Sequence, residues 1–437
     1  MPAGELYTVT TVRGATKTET PGGRSKQKEY LLIQVKNTWN CVESRQEIPT
    51  TWKEDQVIVS QAKMWETVTE SGVSWTVKTP ISFCYKVTET QNLLDPNNMT
   101  LLYGHVSDPQ EVEVYQKKIQ KRFVVMDTNV EKIYGSKVRK SWLSRQQKKN
   151  KSMELVLTIL EEIHKFGIDR RTEPVIAIGG VEPHTSEFRQ PFCLMWMQVW
   201  VQKNGVNFCN CKNKLGSYTP PAATFLDRSF IRTIPRRQIS NGLGEILKMA
   251  LMKHKGLFEL LESHGKYLLD TKFQSRNGLA SHGDAALTAT RLAIQTMLEE
   301  LAPNLWEDDL ERLVDYGHVI SPELEMKVLP ALMHGEAVNI DMAFMTYVSS
   351  ESGLLTAEEK TRTVECMRTL ELPVWHKDCT LHLIKTALGE RLKHSGGKLR
   401  LPLPTGLGTA EIFNDVDEET MKRAFEKWTE DCQTLST

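Results

Sequence analysis

Three side chains in this chain have the types and spacing to hold a metal ion. His318 lies in Asp315-Tyr316-Gly317-His318-Val319-Ile320-Ser321-Pro322, and His334 follows sixteen positions later in Leu332-Met333-His334-Gly335-Glu336-Ala337. The carboxylate is upstream, Glu245 in Asn241-Gly242-Leu243-Gly244-Glu245-Ile246-Leu247-Lys248. Two imidazoles and one carboxylate suit a borderline-hard divalent ion with one coordination position left open, the catalytic rather than the structural arrangement. Spacing alone leaves the ordinary alternative standing, since a histidine beside a glycine is commonly a turn or core residue. Cys209-Asn210-Cys211 reads instead as two incidental thiols, because no second cysteine pair stands at a matching spacing.

These residues must be held by a sizeable fold. At 437 residues the chain has length for two or three domains, each with its own core. Lys and Arg total 55, as do Asp and Glu, so the net charge is zero and no basic footprint points to nucleic acid or an anionic membrane. No apolar run approaches the length of a membrane span, and Met1-Pro2-Ala3-Gly4-Glu5 lacks the basic and apolar segments of a secretory signal. Eight scattered cysteines suit reduced thiols, and a cytoplasmic location is expected.

The pattern along the chain divides it into three. Residues 1–75 are polar and read as a poorly ordered extension. From 76 to 237 the grammar is α/β: a strand from Trp75 to Tyr85, a short apolar run Phe123-Val124-Val125-Met126 ending at Asp127, helical spacing from Met153 to Phe166, then a buried strand Pro174–Ile178 entering Gly179 and Gly180. From 238 to 437 helical periods dominate, over 242–262, 283–301, 306–316, 323–350 and 357–370, the last opened by a capping box at Thr356-Ala357-Glu358-Glu359. The expected fold is an α/β nucleotide-binding domain followed by a mainly helical metal-binding domain, with substrate bound in a cleft between them.

Several long strings carry a resemblance. They are Glu161-Glu162-Ile163-His164-Lys165-Phe166-Gly167-Ile168-Asp169-Arg170-Arg171-Thr172-Glu173-Pro174, Asn210-Cys211-Lys212-Asn213-Lys214-Leu215-Gly216, Ala222-Ala223-Thr224-Phe225-Leu226-Asp227-Arg228-Ser229-Phe230 and Met297-Leu298-Glu299-Glu300-Leu301-Ala302-Pro303-Asn304-Leu305-Trp306-Glu307. Over residues 70–437 the chain resembles the sugar phosphate cyclase superfamily, whose best-known members are the 3-dehydroquinate synthases. Within it the chain is most similar to the animal branch of the sedoheptulose 7-phosphate cyclases, the 2-epi-5-epi-valiolone synthase family. The resemblance implies a dehydroquinate synthase-like fold, NAD, a divalent metal (zinc or cobalt) on Glu245, His318 and His334, and commonly a homodimer. It places the dinucleotide at Asp127, Gly179 and Gly180, candidate catalytic groups at Lys203, Lys248 and Asp315, and substrate phosphate near Lys212, Asn213 and Lys214. For each lysine, a solvated surface side chain is the alternative.

The implied reaction converts sedoheptulose 7-phosphate to 2-epi-5-epi-valiolone: transient NAD-dependent oxidation at C5, loss of phosphate, re-reduction, ring opening and aldol closure. In animals this resembles the first step toward a gadusol-type sunscreen. Dehydroquinate synthases carry Asn and His where this chain has Asp315 and Pro322, and a lysine near Met297–Glu300 that is missing here. Fewer cationic and donor groups suit a substrate lacking a carboxylate, which argues against the 3-dehydroquinate synthase alternative.

One segment departs from the family. After the strand the family has three glycines, a Val, a helix and later a Val-Asp-Ala motif; this chain keeps Gly179, Gly180 and Val181, then reads Glu182-Pro183-His184 through Met195-Trp196-Met197-Gln198-Val199-Trp200-Val201-Gln202. Taking the third base of each codon with the first two of the next, Met195–Gln198 must spell Val-Asp-Ala, so residues 183–202 read as an out-of-frame translation preceded by a deletion. Gln146-Gln147-Lys148-Lys149 has the same character. A dinucleotide needs the complete glycine turn and the helix N-terminus after it. The expectation is therefore impaired NAD binding, with a catalytically inactive metal-binding homologue as a further alternative.

Overall fold

The computed structural model describes residues 86–437 apart from 107, 118–121, 127, 142–152, 168–172, 179–202, 209–210, 219–220, 222, 275–283, 305–308 and 435–437, together with the backbone of five strands before residue 79. Those strands are β1 (Tyr7–Thr16), β2 (Gln27–Val35), β3 (Thr38–Glu43), β4 (Val57–Thr69) and β5 (Gly72–Lys78). They form one sheet in the order β3-β2-β1-β4-β5, in which β1 and β4 run parallel. This differs from the poorly ordered extension expected over 1–75. Segments such as Tyr7-Thr8-Val9-Thr10-Thr11-Val12 are polar overall yet rich in the β-branched residues that favour extended backbone. Residues 1–84 form one unit and 85–437 another, so the expected boundary at 237/238 falls inside the second unit.

The second unit begins with its α/β half: β6 (Lys86–Glu89), α1 (Thr100–Tyr103), α2 (Pro109–Gln116), β7 (Phe123–Met126), α3 (Thr128–Ser141), α4 (Met153–Phe166), β8 (Val175–Ile178), β9 (Lys203–Phe208), β10 (Cys211–Tyr218) and β11 (Ala223–Leu226). β7 pairs with β8 and β6 with β11, both parallel, while β9 and β10 make an antiparallel hairpin. Parallel strands covered on both faces need unbroken apolar runs, and Phe-Val-Val-Met, Val-Ile-Ala-Ile and Ala-Thr-Phe-Leu supply them. Val124, Met126, Ile176, Ile178, Ala223 and Phe225 share one buried cluster. The expected helix at Met153–Phe166 and strand at Val175–Ile178 are both present.

The helical half comprises α5 (Arg236–Lys253), α6 (Lys255–Asp270), α7 (Ala285–Leu301), α8 (Ser321–Val328), α9 (His334–Glu351), α10 (Ala357–Thr369), α11 (Leu381–His394), the hairpin β12 (Leu401–Gly406) and β13 (Thr409–Phe413), and α12 (Glu418–Thr434). Residues Gly335–Ser349 of α9 are all buried, so this helix is the axis of the half. Three expected helices are corrected. The period over 242–262 is broken at His254, which leaves α5 and caps α6 by accepting from the Leu257 N–H. The period over 323–350 is two helices, because Pro330 has no N–H to continue α8. Over 306–316 the described backbone makes one short 3-10 turn at Leu313–Asp315, not a helix. The capping box at Thr356 is observed, with Thr356 Oγ1 accepting from Glu359 N–H at 3.2 Å and Glu359 Oε2 accepting from Thr356 N–H at 3.0 Å.

Candidate metal centre

Glu245, His318 and His334 come together, with one ligand atom from each lying within 4.8 Å of the others. Glu245 projects from α5, His318 from the turn before α8, and His334 is the first residue of α9. Two glycines allow this approach. A Cβ on Gly335 would lie 1.9 Å from the Asn241 carbonyl oxygen, so only glycine lets α9 start against α5. Gly317 adopts φ +74° immediately before His318 and packs on Val338 and Met342 of α9.

Each imidazole is oriented through its Nδ1. His318 Nδ1 lies 3.2 Å from the Tyr316 carbonyl oxygen, and His334 Nδ1 lies 2.9 Å from Glu325 Oε2. Carbonyl and carboxylate oxygens only accept, so each Nδ1 carries the proton and each Nε2 is left as a donor atom for a cation. Both Nε2 atoms face the same oxygen, Glu245 Oε1, at 3.3 Å for His334 and 3.8 Å for His318. That oxygen is buried without a hydrogen-bond partner. A single proton on His334 could bridge one of these pairs but not both. An ion about 2.0–2.2 Å from each donor at a tetrahedral angle would set donors about 3.3–3.6 Å apart; the His334 pair lies in that range and the His318 pair is slightly longer, which suits a zinc-like cation.

The electrostatics agree. Burial alone would raise the Glu245 carboxyl, but the Lys248 ammonium, 2.7 Å from Oε2, and the two imidazoles outweigh it and hold Glu245 well below the usual carboxylate range. Burial, reinforced by Lys248, pushes His318 down to about 3 against the opposing pull of Glu245, so this ligand is neutral at physiological pH. Burial likewise works against ionised Asp315, yet Arg312 at 2.8 Å and Arg391 at 3.3 Å keep its carboxyl below the usual range.

The remaining candidates fall as follows. Lys248 is buried against Glu245 and is not the solvated surface lysine of the alternative reading. Asp315 lies three residues before His318, and its carbonyl accepts from the His318 N–H. Lys203 is in β9 and Lys212, Asn213 and Lys214 are in β10. Asp127, Gly179, Gly180 and the segment 182–202, expected to be out of frame, lie outside the described residues.

Four supporting groups escaped the sequence reading. Besides Glu325 and the Tyr316 carbonyl, Asn241 Oδ1 accepts from Gly335 N–H at 2.8 Å and Glu336 N–H at 3.3 Å, tying α5 to the first turn of α9. Asp341 Oδ2 accepts from the N–H groups of Val319, Ile320 and Ser321. Two signals were available. Asn241 stands one turn before Glu245, and Asp341 lies within a mostly apolar, buried helix, where a carboxylate must find partners.

Residues 242–393 match the 3-dehydroquinate synthase C-terminal family. A 2-epi-5-epi-valiolone synthase from Actinomyces sp is 40% identical over 370 residues, covering 78% of this chain and 94% of that relative. The chain belongs to the 2-epi-5-epi-valiolone synthase family of sugar phosphate cyclases. Among solved structures, this cyclase resembles ValA, the 2-epi-5-epi-valiolone synthase of Streptomyces hygroscopicus subsp. jinggangensis 5008 with NAD+ and Zn2+ bound: TM-score 0.70, 36% identity, 82% of this chain and 99% of that one. A 2-deoxy-scyllo-inosose synthase complexed with carbaglucose-6-phosphate, NAD+ and Co2+ shares the cyclase fold at 15% identity, with TM-score 0.53 over 78% of this chain and 96% of that one. The expected dehydroquinate synthase-like fold is thus observed. Among the described residues no helix is long and apolar enough to cross a membrane.

Proposed function

We propose that the chain is a carbon-oxygen lyase, a phosphate-eliminating cyclase that converts sedoheptulose 7-phosphate to 2-epi-5-epi-valiolone. The observation that carries this reading is the convergence of two Nε2 atoms on the unpartnered Glu245 oxygen, in a chain 40% identical to a synthase of that name. Glu245, His318 and His334 hold the divalent metal, zinc or cobalt. When bound, such an ion would supply Lewis acidity toward a substrate hydroxyl or carbonyl oxygen.

The chain's own residues set the rest. Lys248 keeps Glu245 ionised and brings a buried positive charge beside the ion, where a phosphate or carbonyl oxygen would come. Asp315, clasped by two arginines, fixes the turn that presents His318 and takes the place of the asparagine of the dehydroquinate branch. Lys203, Lys212, Asn213 and Lys214 of the β9–β10 hairpin are assigned to the substrate phosphate. NAD belongs at Asp127, Gly179 and Gly180 of the 76–237 region, and residues 182–202, out of family register, weaken its binding in this chain.

Phosphate release from sedoheptulose 7-phosphate, with NAD and Zn2+ or Co2+ added, tests the reading. Release from the seven-carbon ketose supports it. Release only from the 3-dehydroquinate precursor establishes the 3-dehydroquinate synthase alternative, and release from neither establishes an inactive metal-binding homologue, which the 182–202 segment favours. Isothermal titration with NAD separates the last case, since tight binding would remove the defect argued for that segment.

A further inference from the structure

The two histidine-bearing elements exchange carboxylates. Asp341 sits on α9, two turns or about 10 Å along the axis from His334. Its Oδ2 gathers three consecutive backbone N–H groups, Val319 at 2.8 Å, Ile320 at 2.5 Å and Ser321 at 2.9 Å, which are the residues directly after His318. In the opposite direction, Glu325 sits on α8, one turn beyond those same N–H groups, and its Oε2 meets His334 Nδ1 at 2.9 Å. The helix that begins with one histidine thus grips the loop of the other, and the helix after that loop grips the first histidine. Both carboxylates are buried. The Ser321 hydroxyl closes the loop by donating to the Gly317 carbonyl at 2.7 Å.

We propose that Glu325 and Asp341 form a crossed clamp that positions the two imidazoles, Glu325 fixing His334 as an Nε2 donor and Asp341 fixing the height of His318 above α9. Resting on the metal reading above, the clamp makes the three-donor geometry a property of the protein before the ion arrives. A buried glutamate behind a ligand imidazole stabilises one tautomer and raises the basicity of the metal-binding nitrogen. A backbone carbonyl behind the other imidazole does the first but adds no full charge. Glu325 is therefore the more sensitive of the two devices to test.

The experiment uses the full chain and its Glu325→Ala, Glu325→Gln and Asp341→Asn variants. Zinc affinity is measured by competition with a chromophoric chelator, with Co2+ absorption spectra as a geometry readout. Glu325→Ala should lose about tenfold or more in zinc affinity, and Glu325→Gln, which keeps an oxygen for Nδ1–H, should lose less. Asp341→Asn should alter the Co2+ spectrum. Long-range 1H–15N spectra of the metal-free chain should show the proton on His334 Nδ1, with a mixture of tautomers in Glu325→Ala. Zinc binding by Glu325→Ala within about twofold of the unaltered chain, or an unchanged His334 tautomer, would overturn the clamp. Failure of the unaltered chain to bind zinc would instead refute the metal reading, and the tautomer measurement would still decide the role of Glu325.

Discussion

Replacing Gly335 by alanine sets two effects of opposite sign against each other. Within a helix, alanine is favoured over glycine by about 0.5–1 kcal/mol, so propensity alone makes Gly335→Ala stabilising. The structure reverses that sign. The new Cβ would stand 1.9 Å from the Asn241 carbonyl oxygen and 2.9 Å from its carbonyl carbon, both rigid backbone of α5. Contacts under 3.0 Å are essentially never seen, so α9 and α5 must part by about 1 Å. Overpacking of that kind costs about 1–3 kcal/mol, and here the upper end applies because no side chain can yield. The same displacement separates His334 from Glu245, while metal sites tolerate about 0.2 Å in ligand distance, so zinc affinity should fall at least about tenfold. Gly244→Ala supplies an internal scale: its Cβ would lie 2.7 Å from the Gly335 carbonyl oxygen, a smaller violation with a smaller expected loss. Urea unfolding and chelator competition measure the two quantities. If Gly335→Ala proves more stable than the parent and binds zinc equally well, helix propensity has prevailed and the close-approach reasoning is wrong.

Three other outcomes follow from the same geometry. Zinc at a hundred times its Kd should stabilise the chain by about 2.7 kcal/mol in thermal unfolding, and His334→Ala should abolish that increment. Asp315→Asn should cost about 1–3 kcal/mol at pH 7, since Arg312 and Arg391 each lose a part-buried carboxylate partner. The folded carboxyl titrates below its unfolded value of about 3.9. Its contribution is therefore present above that pH and lost as pH falls through the folded value, so parent and variant curves should converge in acid. Thr356→Ala, which removes the α10 cap, should cost about 1 kcal/mol in urea unfolding and leave zinc affinity unchanged, because α10 contributes no ligand.

The chemistry-bearing residues were the most legible part of the sequence. Glu245, His318 and His334 were suggested by type and singled out by the family resemblance, and the structure brings one ligand atom of each within 4.8 Å of the others. Elements whose apolar pattern runs without interruption, Met153–Phe166 and Val175–Ile178, were equally clear. The errors have local causes. Pro330 was overlooked inside a long apolar period, and the missing amide splits it into α8 and α9. His254 looked like an ordinary helical residue, although its side chain starts a new helix. The polarity of residues 1–75 concealed their β-branched content. Glu325 was hidden for a different reason: a glutamate on a short helix usually faces water, and only the return of α9 supplies its partner. Side chains that serve another residue at a distance leave little trace in periodicity.

Every side chain argued to grip or support the ion, from Asn241 to Asp341, stands on a segment that contributes neighbours to the hydrophobic core whose members begin at Ile231 and end at Cys432. Ion loading and dinucleotide binding are assigned to different residues of one compact unit, 85–437. A preparation saturated with zinc would certify that this half has folded, and nothing about whether a dinucleotide can dock. Metal content and turnover are separate measurements for this chain, and a gap between them would show that metal binding alone does not suffice for the reaction.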